Sequence, residues 1–195
     1  MSYTFHPVAV SVATIKKTCG SKDAKLIEKL VKKFGERFPG IDELDEDAVT
    51  MSKAIEDLVM GAKLNEDSGF KYGYALKFLC EHLGKPLPNE FWSDAGWDWV
   101  EDVDATLADA GIDKKVFRLD PHLTARSAPV TLPKINDFPA IGYVLEAEIA
   151  KILLVLPKSG DDAIEDEEIA QSLGQLREWF EECARTHMDL VSFYH

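Results

Sequence analysis

The run DLVSFYH, residues 189–195, restricts the possible folds more than any other stretch. Alternation along a strand puts Leu190, Ser192 and Tyr194 on one face and Val191, Phe193 and His195 on the other. Both faces are then apolar, which suits a strand covered on both sides or lying inside a sheet. Two other stretches supply neighbours: AIGYVL at 140–145, and Tyr3 to Val10, where Pro7 points to an edge or a bulge.

Most of the remaining chain has helical periodicity. Ser11 caps a short helix through Thr18, with Gly20 to end it. Ile27, Leu30, Val31, Phe34 and Phe38 recur at helical spacing and give the apolar stripe of a basic helix from about Lys22 to Arg37, stopped by Pro39 and Gly40. After the acidic IDELDED, a helix burying Val49, Ile55, Leu58 and Val59 runs to Met60 and closes on Gly61. Tyr72 to Leu83 is another helix, ended by Gly84 and the prolines at 86 and 88. Val103, Leu107 and Ala110 mark the next, before Gly111. Residues 121–139, with four prolines, read as an extended connection. EAEIAKILLVL is a helix, and the acidic cluster Asp161 to Glu168 begins the last one, with its stripe at Ile169, Leu173, Leu176, Phe180, Cys183 and Ala184. The expected fold is α+β or α/β: one domain over 1–195, with a three- to four-stranded mixed sheet that includes the N- and C-terminal strands, wrapped by six to seven helices.

Apolar residues make up 46% of the chain, enough for a substantial core. No stretch approaches the roughly 20 consecutive apolar residues of a membrane span, and no basic segment precedes the apolar start as in a secretory signal. Cys19, Cys80 and Cys183 form no CxxC pair and fit reduced, buried thiols, so the expectation is a cytoplasmic protein. The net charge of −13 is unevenly spread: residues 16–37 carry +5 and the rest −18. Phosphate backbones are repelled by such a surface, so neither nucleic acid nor membrane is expected as a partner; a basic protein is.

Three blocks carry a resemblance: GYALKFLCEHLGKPLPN, LPKINDFPAIGYVLEAEI and LREWFEECARTHMDLVSFYH. Together they resemble a bacterial domain family of unknown function, of actinobacterial type, and more distantly the YfbM-like proteins. The resemblance implies a bacterial α+β domain over nearly the whole chain. The matching positions are mostly apolar residues and glycines, which report packing, and no catalytic residue is implied.

Two groups of residues are candidate sites. Trp92, Trp97 and Trp99 stand among Asp94, Asp98, Glu101, Asp102 and Asp104; exposed aromatics amid carboxylates can grip a basic partner through cation–π and charge contacts. The alternative role for these tryptophans is to pin a loop onto the core. The second group is His6, Cys183, His187, Tyr194 and His195, which would line a pocket at a sheet end. Cys183 and His187 are four residues apart, a spacing that activates a thiolate or begins a metal site, but the further ligands of a metal are missing. The plainer reading is a buried thiol, a helix-terminal histidine and a packed strand end. GxSxG, HExxH, Walker A and GxGxxG are all absent, so neither a common enzyme class nor a cofactor is indicated. The leading expectation is a non-catalytic interaction module with an acidic surface, for example an immunity-type protein. Its rival is a small-molecule-binding protein or enzyme using the sheet-end pocket.

Overall fold

The computed structural model describes residues 3–158 and 164–195. The chain divides into two compact units: one comprises the residues up to Ser11, Pro86–Ser127 and Ala140–His195, and the other Val12–Lys85 and Ala128–Pro139.

The first unit is built on an antiparallel sheet. Strand β4 (Asp189–Tyr194) pairs with β1 (Phe5–Val10) on one side and β3 (Ala140–Val144) on the other. A two-residue edge, β2 (Lys85–Pro86), borders β1 where the chain passes between the units. The stretch expected to be interior is therefore interior, and Leu190 through Tyr194 are all fully buried. Every resolved pairing of β4 is antiparallel, in place of the mixed sheet expected. Pro7 faces Ser192 in the pairing of β1 with β4.

Helix α8 (Glu167–Thr186) lies beside this sheet with Trp179 and Phe180 buried. Asp166 caps it by accepting the Glu168 and Ile169 N–H groups, which also favours negative charge at that end. Asp161 and Asp162 of the acidic cluster lie outside the described residues. Through the core, Phe5 meets Trp92 edge to face at 5.3 Å between centroids, and Trp92 packs tilted on Trp179 at 5.8 Å. Helices α6 (Trp97–Asp109) and α7 (Glu146–Val155) complete the unit. The supposed extended connection opens with a π-type turn, Asp120–Thr124, pressed against Gly142 of β3.

The second unit holds α1 (Val12–Thr18), α2 (Ala24–Phe34), α3 (Phe38–Asp42), α4 (Met51–Met60) and α5 (Gly69–Leu83). The described residues thus contain eight α-helices, against the six to seven expected. The difference is α3: Pro39 sits in its first turn, where a missing N–H costs nothing, and so starts a helix instead of only stopping one. Gly69 and Gly73 share one face of α5 and receive residues 133–139. A Cβ on Gly69 would collide with the Lys134 carbonyl, and one on Gly73 would crowd Ile135 and Pro139.

Ser192 is fully buried, and its hydroxyl has no hydrogen-bond partner among the described residues. A buried hydroxyl without a partner costs free energy that its removal returns. Ser192→Ala is therefore expected to raise stability by about 1 kcal/mol, read as a higher denaturant midpoint; a lower midpoint would contradict this account.

Candidate functional site

Around the α6 N-terminus the sequence-predicted residues separate into distinct roles. Trp92 is fully buried, and its indole N–H donates to the Ser172 carbonyl at 2.9 Å. This corrects its assignment as a surface contact: it belongs to the core. Asp104 is also committed internally, accepting the Leu119 N–H at 2.7 Å and the Asp120 N–H at 3.1 Å. Burial raises its pKa, and those two bonds partly offset the rise. Asp104 therefore anchors the turn beyond α6 instead of facing a partner. Trp97 is 40% exposed, with its ring edge-on to Tyr194 at 4.9 Å. Asp98 and Asp102 are exposed one helical turn apart.

Trp99 is half-buried and lines a cleft of about 370 Å³ with Glu90, Phe91, Asp94, Glu168 and Gln171. Among the described residues no lysine or arginine contributes to its lining, and neither Asp94 nor Glu168 carries an ion pair. Phe91 is 47% exposed. Its segment, the turn Glu90–Trp92, is fastened to α8 by several bonds. Phe91 N–H donates to Gln175 Oε1 at 3.0 Å, Ser172 Oγ donates to the Phe91 carbonyl at 3.0 Å, and Gln175 Nε2 donates to Glu90 Oε2 at 2.6 Å. The turn that carries Phe91 and the Glu90 carboxylate are thus held in place before anything binds. Sequence reasoning missed Phe91, Glu90, Glu168 and Gln171, because the cleft joins a turn to a helix far along the chain. The one local signal was Glu168 in the first turn of α8, where helix electrostatics already explain it.

The second group does not form one pocket. His6 and His195 meet at one end of the sheet, their rings stacked with centroids 4.5 Å apart. Tyr194 lies beside them in sequence, but its ring is buried against Phe5 and its hydroxyl donates to the Ala95 carbonyl at 2.7 Å. Cys183 and His187 precede β4 and so belong to the opposite end of that strand. A six-residue strand spans about 20 Å, which separates the two pairs. Cys183 is fully buried, and burial pushes its thiol up to about 12, leaving it protonated and unreactive at neutral pH. His187 leaves the helix at φ 55° and meets the Glu146 carboxylate at 2.7 Å on the exposed surface. Among the described residues no group of three or more His, Cys, Asp or Glu is placed to hold a metal ion.

A third cluster surrounds the π-type turn. Arg126 makes a two-pronged pair with Glu148, at 2.7 and 2.9 Å, and covers the Tyr143 ring. Burial would raise Glu148, but the Arg126 hydrogen bonds and the Leu145 N–H hold it below the usual carboxylate range. Burial lowers His122, whose Nδ1 meets the Arg118 backbone. These groups satisfy one another and fasten the turn to β3.

Fold and site together define an α+β protein with an acidic, aromatic cleft beside a small antiparallel sheet. The chain belongs to the family described as a domain of unknown function (DUF7691), whose model matches residues 1–195. No curated protein and no solved structure matches it. No helix among the described residues is long and apolar enough to cross a membrane.

Proposed function

We propose that the chain is a non-catalytic interaction module that takes a basic segment of a partner protein into the cleft formed by Phe91, Trp99, Glu90, Asp94 and Glu168. The observation that carries this reading is a concavity with three carboxylates, two aromatic rings and, among the described residues, no cation in its lining. A lysine or arginine side chain entering it exchanges water for carboxylate contacts and an aromatic face. At about 370 Å³ the cleft is near the lower end of the roughly 300–1,000 Å³ typical of ligand sites, a size suited to one or two side chains. The charge of −13 adds long-range attraction for a basic partner and faster encounter. An immunity-type protein of a bacterium, neutralising a basic toxin, is one form such a module takes.

Binding of nona-arginine and nona-lysine peptides at 50 mM salt tests it. The double reversal Asp94→Lys/Glu168→Lys is expected to weaken binding about tenfold or more. Trp99→Ala is expected to weaken nona-arginine more than nona-lysine, because the guanidinium stacks better. A charge-matched control, Glu43→Lys/Asp45→Lys, should have little effect. Equal losses in the two double variants would reduce the binding to net charge and defeat the reading.

A further inference from the structure

We infer that the helical unit carries a second docking site, a groove that takes an extended, acidic and partly aliphatic peptide of a partner protein. The inference rests on different residues from the acidic cleft and does not depend on it.

The groove has a volume of about 780 Å³ and runs between the C-terminal ends of α1 and α4 and the strap Pro129–Pro133. Two glycines, Gly20 and Gly61, are part of its lining. Gly20 and Gly61 both have left-handed backbones, at φ +80° and +68°, and a Cβ on Gly61 would come within 2.9 Å of the Gly20 Cα. The two helix ends therefore meet backbone to backbone, joined by the Gly20 N–H to the Leu58 carbonyl and the Lys22 N–H to the Val59 carbonyl, each 2.9 Å. A ligand can approach the main chain closely there.

The strap supplies the wall. Beyond it, residues 133–139 are seated on the glycine face of α5, which fixes its position. Among the described residues, the backbone groups of Val130, Thr131 and Leu132 make no hydrogen bond. A length of non-helical, non-sheet backbone with unused donors and acceptors, held along a groove, is the template that peptide strands add to. Its five residues span about 15 Å, enough to pair with four or five residues of ligand.

The charges select the ligand. Asp57 is engaged by Lys53 at 2.9 Å, a lysine that Glu56 shares at 3.3 Å, and by the Tyr72 hydroxyl at 3.0 Å. Lys16 and Lys63 carry no ion pair among the described residues and face only Glu66 among the groove's other free charges. Among the described residues Lys16 and Lys63 are thus the groove's unpaired cations on a strongly acidic chain, while Leu58, Leu64, Val130 and Leu132 give it an apolar lining. Carboxylates for the lysines and aliphatic side chains for the lining describe the peptide.

The test pans random dodecapeptides displayed on phage against the whole chain, then titrates the enriched sequence as a synthetic peptide. Cys19 lines the groove and is partly exposed, whereas Cys80 and Cys183 are buried; burial pushes the Cys19 thiol up to about 11, so iodoacetamide labelling of Cys19 at pH 9, where its thiolate fraction is larger, reports occupancy on the unaltered protein. Enriched sequences should combine Asp or Glu with aliphatic residues, and the saturating peptide should slow Cys19 labelling about fivefold or more. Lys16→Glu/Lys63→Glu should weaken binding about tenfold or more while leaving binding of nona-arginine to the acidic cleft in place. No enrichment, enrichment of peptides lacking carboxylates, or a labelling rate unchanged by saturating peptide would each overturn the inference. Loss of nona-arginine binding alone would count against the acidic cleft and not against this groove.

Discussion

Gly142→Ala is expected to destabilise the protein by on the order of 3 kcal/mol, seen as a lower denaturant midpoint with an unchanged slope. Gly142 lies in the middle of β3, opposite Ser192, with backbone dihedrals open to any residue. The obstacle is steric: a Cβ there would run into the His122 carbonyl and the Leu123 main chain of the π-type turn. Main chain cannot rotate aside as a flexible side chain does, so either β3 or the turn must shift. A shift of the turn would also disturb the Arg126–Glu148 pair and the Asp104 contacts that tie it to α7 and α6. Gly40→Ala serves as the control, because nothing lies within 4 Å of the added carbon; within α3 that change should be neutral or slightly stabilising. Equal effects at the two glycines would contradict the steric account.

Lys77→Met is expected to have a large effect of the opposite sign. Lys77 lies on α5 with its side chain buried, and burial lowers its pKa to about 8, with Arg37 contributing, despite the Glu81 carboxylate at 3.7 Å. Its unfolded value is 10.5, so below pH 8 both states hold the proton and folding bears the full cost of burying an ammonium group. Between pH 8 and 10.5 the folded protein sheds that proton while the unfolded chain keeps it, and the penalty fades. Above 10.5 neither state is charged and the penalty is gone. Methionine should therefore stabilise the protein at pH 7 by up to about 3 kcal/mol, with the gain shrinking toward pH 10. Glu81 keeps a partner in the variant, since Arg37 Nη1 contacts it at 2.8 Å. Parallel denaturant titrations of both proteins at pH 7 and pH 10 decide the matter. A gain that does not depend on pH would point to packing rather than charge.

The sheet was legible because its signals are local. Alternating apolar residues in DLVSFYH required cover on both faces, and only two other stretches could flank it. Strand direction was not legible, because apolarity on both faces fits parallel and antiparallel neighbours alike. The short helix α3 was hidden by the double meaning of proline, which ends one helix and begins another. The fastening of 133–139 to α5 was hidden in Gly69 and Gly73, whose four-residue spacing reports a close approach but not what approaches. Among the candidate site residues, the acidic and aromatic character of 92–104 was visible, yet the buried Trp92 and the half-exposed Trp99 look alike in sequence. Exposure there is decided by α8, which binds the Glu90–Trp92 turn through Ser172 and Gln175. Whether His6 adjoins His195 depended on register, and the pairing of Phe5 with Tyr194 supplied it.

The pairing of β1 with β4 also sets an order of events during synthesis. Every rung of that ladder joins residues near opposite ends of the sequence, and β3 too must wait for β4. At about 5–20 residues per second, roughly 10 to 40 s separate the emergence of Phe5–Val10 from that of its partner. The helices from Val12 to Leu83 emerge in the interval, with mostly short-range contacts to make. Until then the apolar first strand has only the two-residue β2 edge to pair with. It is the segment most exposed to aggregation and the natural place for a chaperone to hold the nascent chain.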